Sequence, residues 1–483
     1  MSKFLPLDAY KPVSTEYRLL PFRFTELNDD RYVLSNIAGE FITLPKEILP
    51  TLINHQLRTD EPAYIELRSK HFLTDNSTSI ANDLLAIKVR SRYARLSDFT
   101  SLHIFVVTLR CEHSCSYCQV SRQSEDKIKF DMTFDDAMAA LNLAFRSPSP
   151  NIKIEFQGGE PLLNFPLIQQ IVLEAKKRNP GKELAFVIAT NLALINPQIL
   201  EFCQQHDIVL STSLDGPRDL HNSNRPRPGH DSYEKTIEGI RLARKYLGKD
   251  RVAALMTTTQ ASLNRVTEIV DEYLAQGFNG IFLRPLSPYG FAIKTKSYAK
   301  YNTDRWLEFY KSGLDYILSL NKQGIGFTEY SAATILAKMF TSSDPGYVDL
   351  MNPAGIGIAA VVYNYDGSVY ASDESRMLAE MGDQHFRLGH VRQSYEEIFL
   401  SPNLLQPLED SFAESAPMCT DCAFLPYCGA DPVFHWSLHK DHVGRKPESE
   451  FCRRNMAVFR YLIEKMESDP FVRRLFLKWA NRC

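Results

Sequence analysis

Cys111, Cys115 and Cys118 fall in the pattern CxxxCxxC. Three thiolates on one short loop can hold three irons of a [4Fe–4S] cube and leave the fourth iron without a protein ligand. An open iron suits a catalytic cluster, whereas a cluster that only carries electrons usually has four cysteines. Zinc is the rival reading. It wants a fourth nearby His or Cys, and His113 lies inside the loop. A second group, Cys419, Cys422, Cys428 and Cys452, supplies four thiolates. That set completes either a closed [4Fe–4S] cluster or a structural zinc site. The chain has nine cysteines, so two remain. Cys203, in the apolar helical stretch LEFCQQHDI, reads as a buried core thiol. Cys483 receives no specific role.

These loops need a scaffold, and 483 residues predict roughly three domains. Hydrophobic residues at 44% and charged residues at 23% are ordinary globular values, so core burial is not limiting. A net charge of -3 supplies no basic field, which excludes phosphate-driven nucleic-acid binding as the main task. No run of 18 apolar residues occurs, so no membrane span is expected. The first 20 residues lack a signal-peptide core and cleavage site, so a reducing cytoplasmic location is expected, with the cysteines at metal or redox work rather than in disulfides.

Residues 98–290 alternate strand and helix. The expected strands are HIFVVTLR (103–110), NIKIEFQ (151–157), LAFVIAT (184–190), IVLSTSL (208–214), VAALMTT (252–258) and GIFLRPL (280–286). Six βα units predict an α/β fold, a parallel sheet closing into an open or partial barrel, with chemistry at the C-terminal ends of its strands. Residues 1–97 read as a smaller unit of two strands, RYVLSNI and EFITL, and two short helices. This is a winged-helix-like pattern that fits a packing appendage or a binding module. Residues 291–350 read as a helical bridge. In residues 351–483, VVYNYDGSVYAS is a hairpin turning at Asp366-Gly367, ahead of the second cysteine group.

CxxxCxxC after the first strand of such a half-barrel, with Tyr117 before the third cysteine, resembles the radical S-adenosylmethionine (SAM) enzymes. The resemblance implies that SAM chelates the open iron, that Tyr117 lies against the adenine, and that one-electron cleavage releases a 5′-deoxyadenosyl radical. It also implies that Gly158, Gly159 and Glu160 of the GGEP element hold the methionyl amino group. Arg225 would bind the methionyl carboxylate and Ser213 the ribose, with Asn191 a further candidate. Read from the residues alone, Gly-Gly-Glu-Pro could be just a turn, Ser213 a structural serine and Arg225 a solvated loop arginine.

The second cysteine group, following such a core, resembles the SPASM auxiliary-cluster domain. That domain typically has seven cysteines and two clusters. Here no cysteine lies between Met351 and Gly357, Ser372 stands at the family's second position, and Pro432 at the one following Cys428. All three belong to one ligand set in the family, and the four remaining cysteines match the other. Two [4Fe–4S] clusters in total, one SAM-binding and one auxiliary, are therefore expected. In related maturases an aspartate just after the lost cysteine acts as a base, which marks Asp373; a charge at a hairpin end is the alternative reading.

LPFRF, CEHSCSYCQVSRQ and NYDGSVYASDESRMLAEMGD are similar to segments of the maturases of the His-Xaa-Ser repeat peptide system. The resemblance implies modification of a ribosomally made precursor peptide by side-chain hydrogen abstraction and cross-linking through a C–C, C–O or thioether bond. It implies a leader captured as an added strand, and an electron donor such as flavodoxin or ferredoxin. Two alternatives stand beside it. One is a sulfatase-maturase-like enzyme that makes formylglycine; the other is a zinc-stabilised scaffold protein.

Overall fold

The computed structural model describes residues 16–75, 80–294, 302–342 and 344–481, so Cys483 lies outside the described residues. Its centre is an eight-stranded sheet in the order Val252–Leu255, Ile208–Ser213, Glu183–Ala189, Asn151–Gly158, Leu102–Thr108, Ala360–Tyr363, Ser368–Tyr370 and Arg387–His390. The first six strands run parallel and the last two antiparallel. Parallel strands covered on both faces read as continuous apolar runs, and Leu102–Thr108 is one. Phe105 and Val107 point into the main core with Ile154 and Phe156. Ile104 and Val106 point the other way, onto Val362 and Tyr370. The helices Phe134–Phe145, Phe165–Arg178, Pro197–Gln205, Ser232–Leu247 and Val266–Ala275 fill the connections. Cys203 is buried on the third of these, inside the apolar core.

Two expectations for the sheet need correction. The sixth core strand is reduced to Gly280–Ile281, which pairs with Thr328–Glu329 and does not join the main sheet. Pro285 gives the reason: it donates no backbone hydrogen bond and restricts Arg284 before it. Beyond the ladder, the Arg284 carbonyl still accepts from the Thr258 amide at 3.3 Å and the Thr258 hydroxyl at 2.6 Å. The second correction is at the opposite edge. The hairpin turns at Gly367, φ 79°, as its sequence predicts. Its first strand then adds in parallel to Leu102–Thr108, so the C-terminal segment extends the core sheet.

The N-terminal residues form a three-stranded antiparallel sheet, Phe22–Glu26, Arg31–Asn36 and Phe41–Pro45, followed by helices Ile48–Ile53, Pro62–Ser69 and Ala81–Tyr93. The first strand and the last helix go beyond the pattern read from sequence. Strand alternation divides this sheet's loyalties. Leu34, Ile42 and Leu44 pack on Leu52 and Leu67 in a small separate core. Val33, one residue away, faces the main core. Ser35, on Val33's side, bonds its hydroxyl to the Ala423 carbonyl at 2.5 Å, between two cysteines of the second group.

Further ties follow the same route. Tyr427 donates its hydroxyl to the Gly39 carbonyl at 3.0 Å. Arg23 donates to the Thr420 carbonyl. Arg92 is buried, donates to the Pro426 carbonyl and, at 3.3 Å, to that of Lys338, and lies over the Tyr427 ring. A buried guanidinium spent on backbone carbonyls is strongly held. Arg92→Met should therefore lower unfolding stability by about 2 kcal/mol, read as a lower urea midpoint under anaerobic conditions; an unchanged midpoint would show that these bonds contribute nothing net.

Candidate functional site

Four parallel strands, Leu102–Thr108, Asn151–Gly158, Glu183–Ala189 and Ile208–Ser213, deliver their C-terminal ends to one edge of the sheet. Open sheets place ligand sites at such edges. The cysteine loop leaves the first strand braced by Arg110. Its guanidinium meets both oxygens of Asp131 at 2.7 and 2.8 Å and the Leu163 carbonyl at 2.9 Å.

Gly158 and Gly159 sit directly beneath this loop. The Gly159 amide bonds the Thr108 carbonyl at 2.9 Å, and the Glu160 amide bonds the Arg110 carbonyl at 2.8 Å. A Cβ at either glycine would collide with those same carbonyl oxygens, and Gly158 also has φ 149°. The close approach that the two glycines allow is thus between two strand ends. It sets the cysteine loop at a fixed distance from the next residue, Glu160.

Glu160 is fully buried. One oxygen accepts from the Leu162 amide at 3.0 Å and the Thr190 hydroxyl at 2.7 Å. The other accepts from the Asn191 amide at 2.8 Å. Burial, then the neighbouring Glu112 carboxylate, pushes the Glu160 carboxyl up to about 8 against those bonds. Asn191 also donates its side-chain amide to Glu112 Oε1 at 2.8 Å, and its Nδ2 lies 2.9 Å from His113 Nδ1. His113, the candidate zinc ligand, is buried and its Nε2 meets the Ser232 hydroxyl at 2.9 Å.

Tyr117, Asp215 and Arg225 form the other wall. The Tyr117 hydroxyl donates to Asp215 Oδ2 at 2.6 Å. Arg225 places Nε 3.3 Å from the same oxygen and its guanidinium over the Tyr117 ring. Burial first, and Asp215 in the same direction, raises the Tyr117 hydroxyl's pKa, opposed by Arg225. Burial works against the Arg225 charge, but Tyr117, Asp215 and Cys115 hold its pKa above the usual value. Burial also lifts the Cys111 thiol, and takes that of Cys115 up to about 12. Ser213 lies half-buried at its strand end, laddered to Leu255.

Asp215, Thr190 and Glu112 belong to this constellation and were not assigned from sequence. Each directly follows a core strand or a cysteine, a positional signal without a motif.

The second cysteine group lies elsewhere, under the N-terminal sheet. Cys428 Sγ is 3.7 Å from Asn455 Nδ2, and Cys452 Sγ is 3.6 Å from Met456 Sδ. Burial, then the neighbouring thiols, takes both Cys428 and Cys452 up to about 11, while Lys446 and Arg460 press Cys452 the other way. Among the described residues, three candidate ligand atoms come within 4.8 Å of one another only at Cys111, Glu112 and His113. A tetrahedral zinc would draw its sulfurs to about 3.8 Å apart. By number and type the donors fit: three thiolates suit a [4Fe–4S] cluster with an open iron, and four thiolates suit a closed cluster or a zinc ion.

Asp373 stands apart from the strand-end residues. It begins the helix Asp373–Ala379, which Ser372 and Ser375 cap reciprocally. This accounts for a serine at the position of the absent cysteine. Asp373 Oδ1 is 3.4 Å from Arg376 Nε. Glu374 lines a cavity of about 40 Å³ with Arg284, Tyr347, Asp349, Asp431 and Arg454. Burial, then Asp349 and Asp373, pushes its carboxyl up to about 7, opposed by Arg284 at 3.6 Å.

Residues 105–275 match the family model of the radical SAM superfamily. An uncharacterized protein of Methanothermobacter thermautotrophicus is 30% identical over 191 residues, 39% of this chain and 69% of its own length. A cysteine-type anaerobic sulfatase-maturating enzyme of Clostridium perfringens is 24% identical over 346 residues, 68% of this chain and 87% of its own. The solved structure of native anSMEcpe with bound AdoMet and Cp18Cys peptide superposes with TM-score 0.62 at 18% identity, over 80% of this chain and 99% of that one. No helix among the described residues is long and apolar enough to cross a membrane.

Gly159→Ala should disrupt the joint between the two strand ends, so that anaerobic reconstitution loads about four fewer irons per chain; full loading would show that the joint can yield. The Glu374 carboxyl binds its proton more tightly folded than unfolded, so it favours folding less as pH rises from about 4.5 to about 7. Glu374→Gln should therefore melt higher than the parent at pH 8, with the gap closing by pH 5. A gap independent of pH would contradict this.

Proposed function

Because this chain belongs to the radical SAM superfamily, we propose that it is a maturase that modifies a ribosomally made peptide by hydrogen abstraction from a side-chain carbon and formation of a cross-link. The observation that carries this is one juxtaposition: a three-cysteine loop set by the Gly158–Gly159 joint beside Glu160, Asn191, Tyr117 and Arg225. Cys111, Cys115 and Cys118 would hold a [4Fe–4S] cluster with one open iron, and Cys419, Cys422, Cys428 and Cys452 would hold a closed one. With SAM bound, the first would supply a 5′-deoxyadenosyl radical and the second an electron acceptor.

The chain's own residues position the reactants. Glu160 receives the methionyl ammonium. Arg225, held by Asp215 over the Tyr117 ring, receives the methionyl carboxylate. Tyr117 backs the adenine and Ser213 reaches the ribose. Of the two carboxylates at the hairpin end, Asp373 is paired with Arg376 at 3.4 Å. Glu374, with its higher proton affinity and its place on a cavity, is the better proton acceptor. A leader peptide adding to the N-terminal sheet as a further strand would lie near the second cysteine group, through Ser35 and Arg23. A flavodoxin or ferredoxin would deliver the electron.

The sulfatase-maturating relative, matched over 68% of this chain, favours a second reading in which a Cys or Ser of the substrate becomes formylglycine. Tandem mass spectrometry after co-expression with the peptide of a neighbouring short reading frame separates the two. A cross-link removes two hydrogens and joins two residues; formylglycine leaves one altered Cys or Ser that reacts with a hydrazide.

Anaerobic reconstitution should give about eight irons per chain, and about twelve would refute the ligand assignment. Cys115→Ala should abolish deoxyadenosine formation from SAM. Cys422→Ala should retain it but lose the modified peptide, and normal product from that variant would show the second cluster to be dispensable.

A further inference from the structure

Glu112 follows the first cysteine and is partly buried. Its Oε1 is occupied by Asn191 Nδ2 at 2.8 Å and by His113 Nδ1 at 3.1 Å. Its Oε2 is buried and has no hydrogen-bond partner. A buried carboxylate oxygen left unpaired is expensive, and native proteins nearly always satisfy such atoms.

The neighbourhood sharpens the problem. The Glu112 carboxylate adds to burial in raising the proton affinity of Glu160. Asn191 serves both, its backbone amide on Glu160 Oε2 and its side chain on Glu112 Oε1. The other donors to Glu160 are the Leu162 amide and the Thr190 hydroxyl, both neutral. His113 is shared with Asn191 and Ser232. Two acidic residues are thus bridged by one asparagine, and one oxygen of Glu112 is left without a partner. A metal ion held by Cys111, Glu112 and His113 would need a free imidazole nitrogen, and both nitrogens of His113 already have partners. An ammonium fits better. It carries one positive charge and three donors, enough for Glu112 Oε2 and the remaining lone pair of Glu160 Oε2.

On the radical SAM reading, the ligand beside Cys111 brings such a group, the α-ammonium of its methionine moiety. We propose that Glu112 is a second anionic acceptor for the SAM ammonium, sharing it with Glu160. Glu112 then selects for the amino group itself, not for the sulfonium or the nucleoside.

The test uses the full chain, anaerobically reconstituted, with equilibrium dialysis of SAM and of the SAM analogue that lacks the α-amino group. Charge-assisted hydrogen bonds of this kind predict that Glu112→Gln weakens SAM about tenfold or more. Affinity for the desamino analogue and iron content should both match the parent. Glu112→Asp, which keeps the charge but shortens its reach, should fall between the two and replaces the Gln variant if that does not fold. Equal weakening of both ligands, or of neither, would overturn the assignment. Loss of iron would overturn it in favour of Glu112 as a cluster ligand. A parent that binds the desamino analogue as tightly as SAM would overturn it while leaving the superfamily's chemistry intact, whereas a parent that binds neither would overturn both.

Discussion

Two backbone hydrogen bonds set the geometry on which the rest of the site depends. Gly159 and Glu160 reach under the end of Leu102–Thr108 and bind the carbonyls of Thr108 and Arg110. Gly158 and Gly159, lacking a Cβ, let those chains come so close. Everything else is referred to that joint. The cysteine loop rises from one side of it and the buried carboxylate of Glu160 hangs from the other. Arg110, clamped to Asp131, keeps the loop from rotating about it.

Around that joint the molecule assembles buried charge in pairs with uneven satisfaction. On one wall Arg225 and Asp215 neutralise each other across Tyr117. On the other, Glu112 and Glu160 share one asparagine, and Glu112 also meets His113 Nδ1 at 3.1 Å. Preorganised dipoles and charges cost least when they are held by backbone amides, as Glu160 is.

Much of this was legible in the sequence, and the reasons are local. CxxxCxxC, GGEP and the apolar runs 103–110, 151–157, 184–190 and 208–214 are short-range signals, and five strands of the parallel sheet lie where those runs and 252–258 place them. The sixth failed because Pro285 outweighs the β-branched and aromatic residues before it. Asp373 was singled out by its position after a missing cysteine; the structure sets it beside Arg376 and its neighbour Glu374 on a cavity, a difference in helix phase that does not show in the sequence. The parallel docking of Ala360–Tyr363 against Leu102–Thr108 was invisible for another reason. It pairs residues more than 250 positions apart, and the hairpin motif carries no information about its partner.

Long-range closure also governs the N-terminal sheet. Ser35 meets Ala423 and Tyr427 meets Gly39, both across 388 residues. During synthesis the first cysteine loop and its strands are complete while the second group is still untranslated. The sheet at the beginning of the chain must wait, with Val33 and Ser35 uncovered, until the final segment arrives. Maturation of the protein therefore has a built-in sequence. The parallel strands around the first loop come first, and the enclosure of Cys419, Cys422, Cys428 and Cys452 against the N-terminal sheet follows only when residues 419–452 have been made.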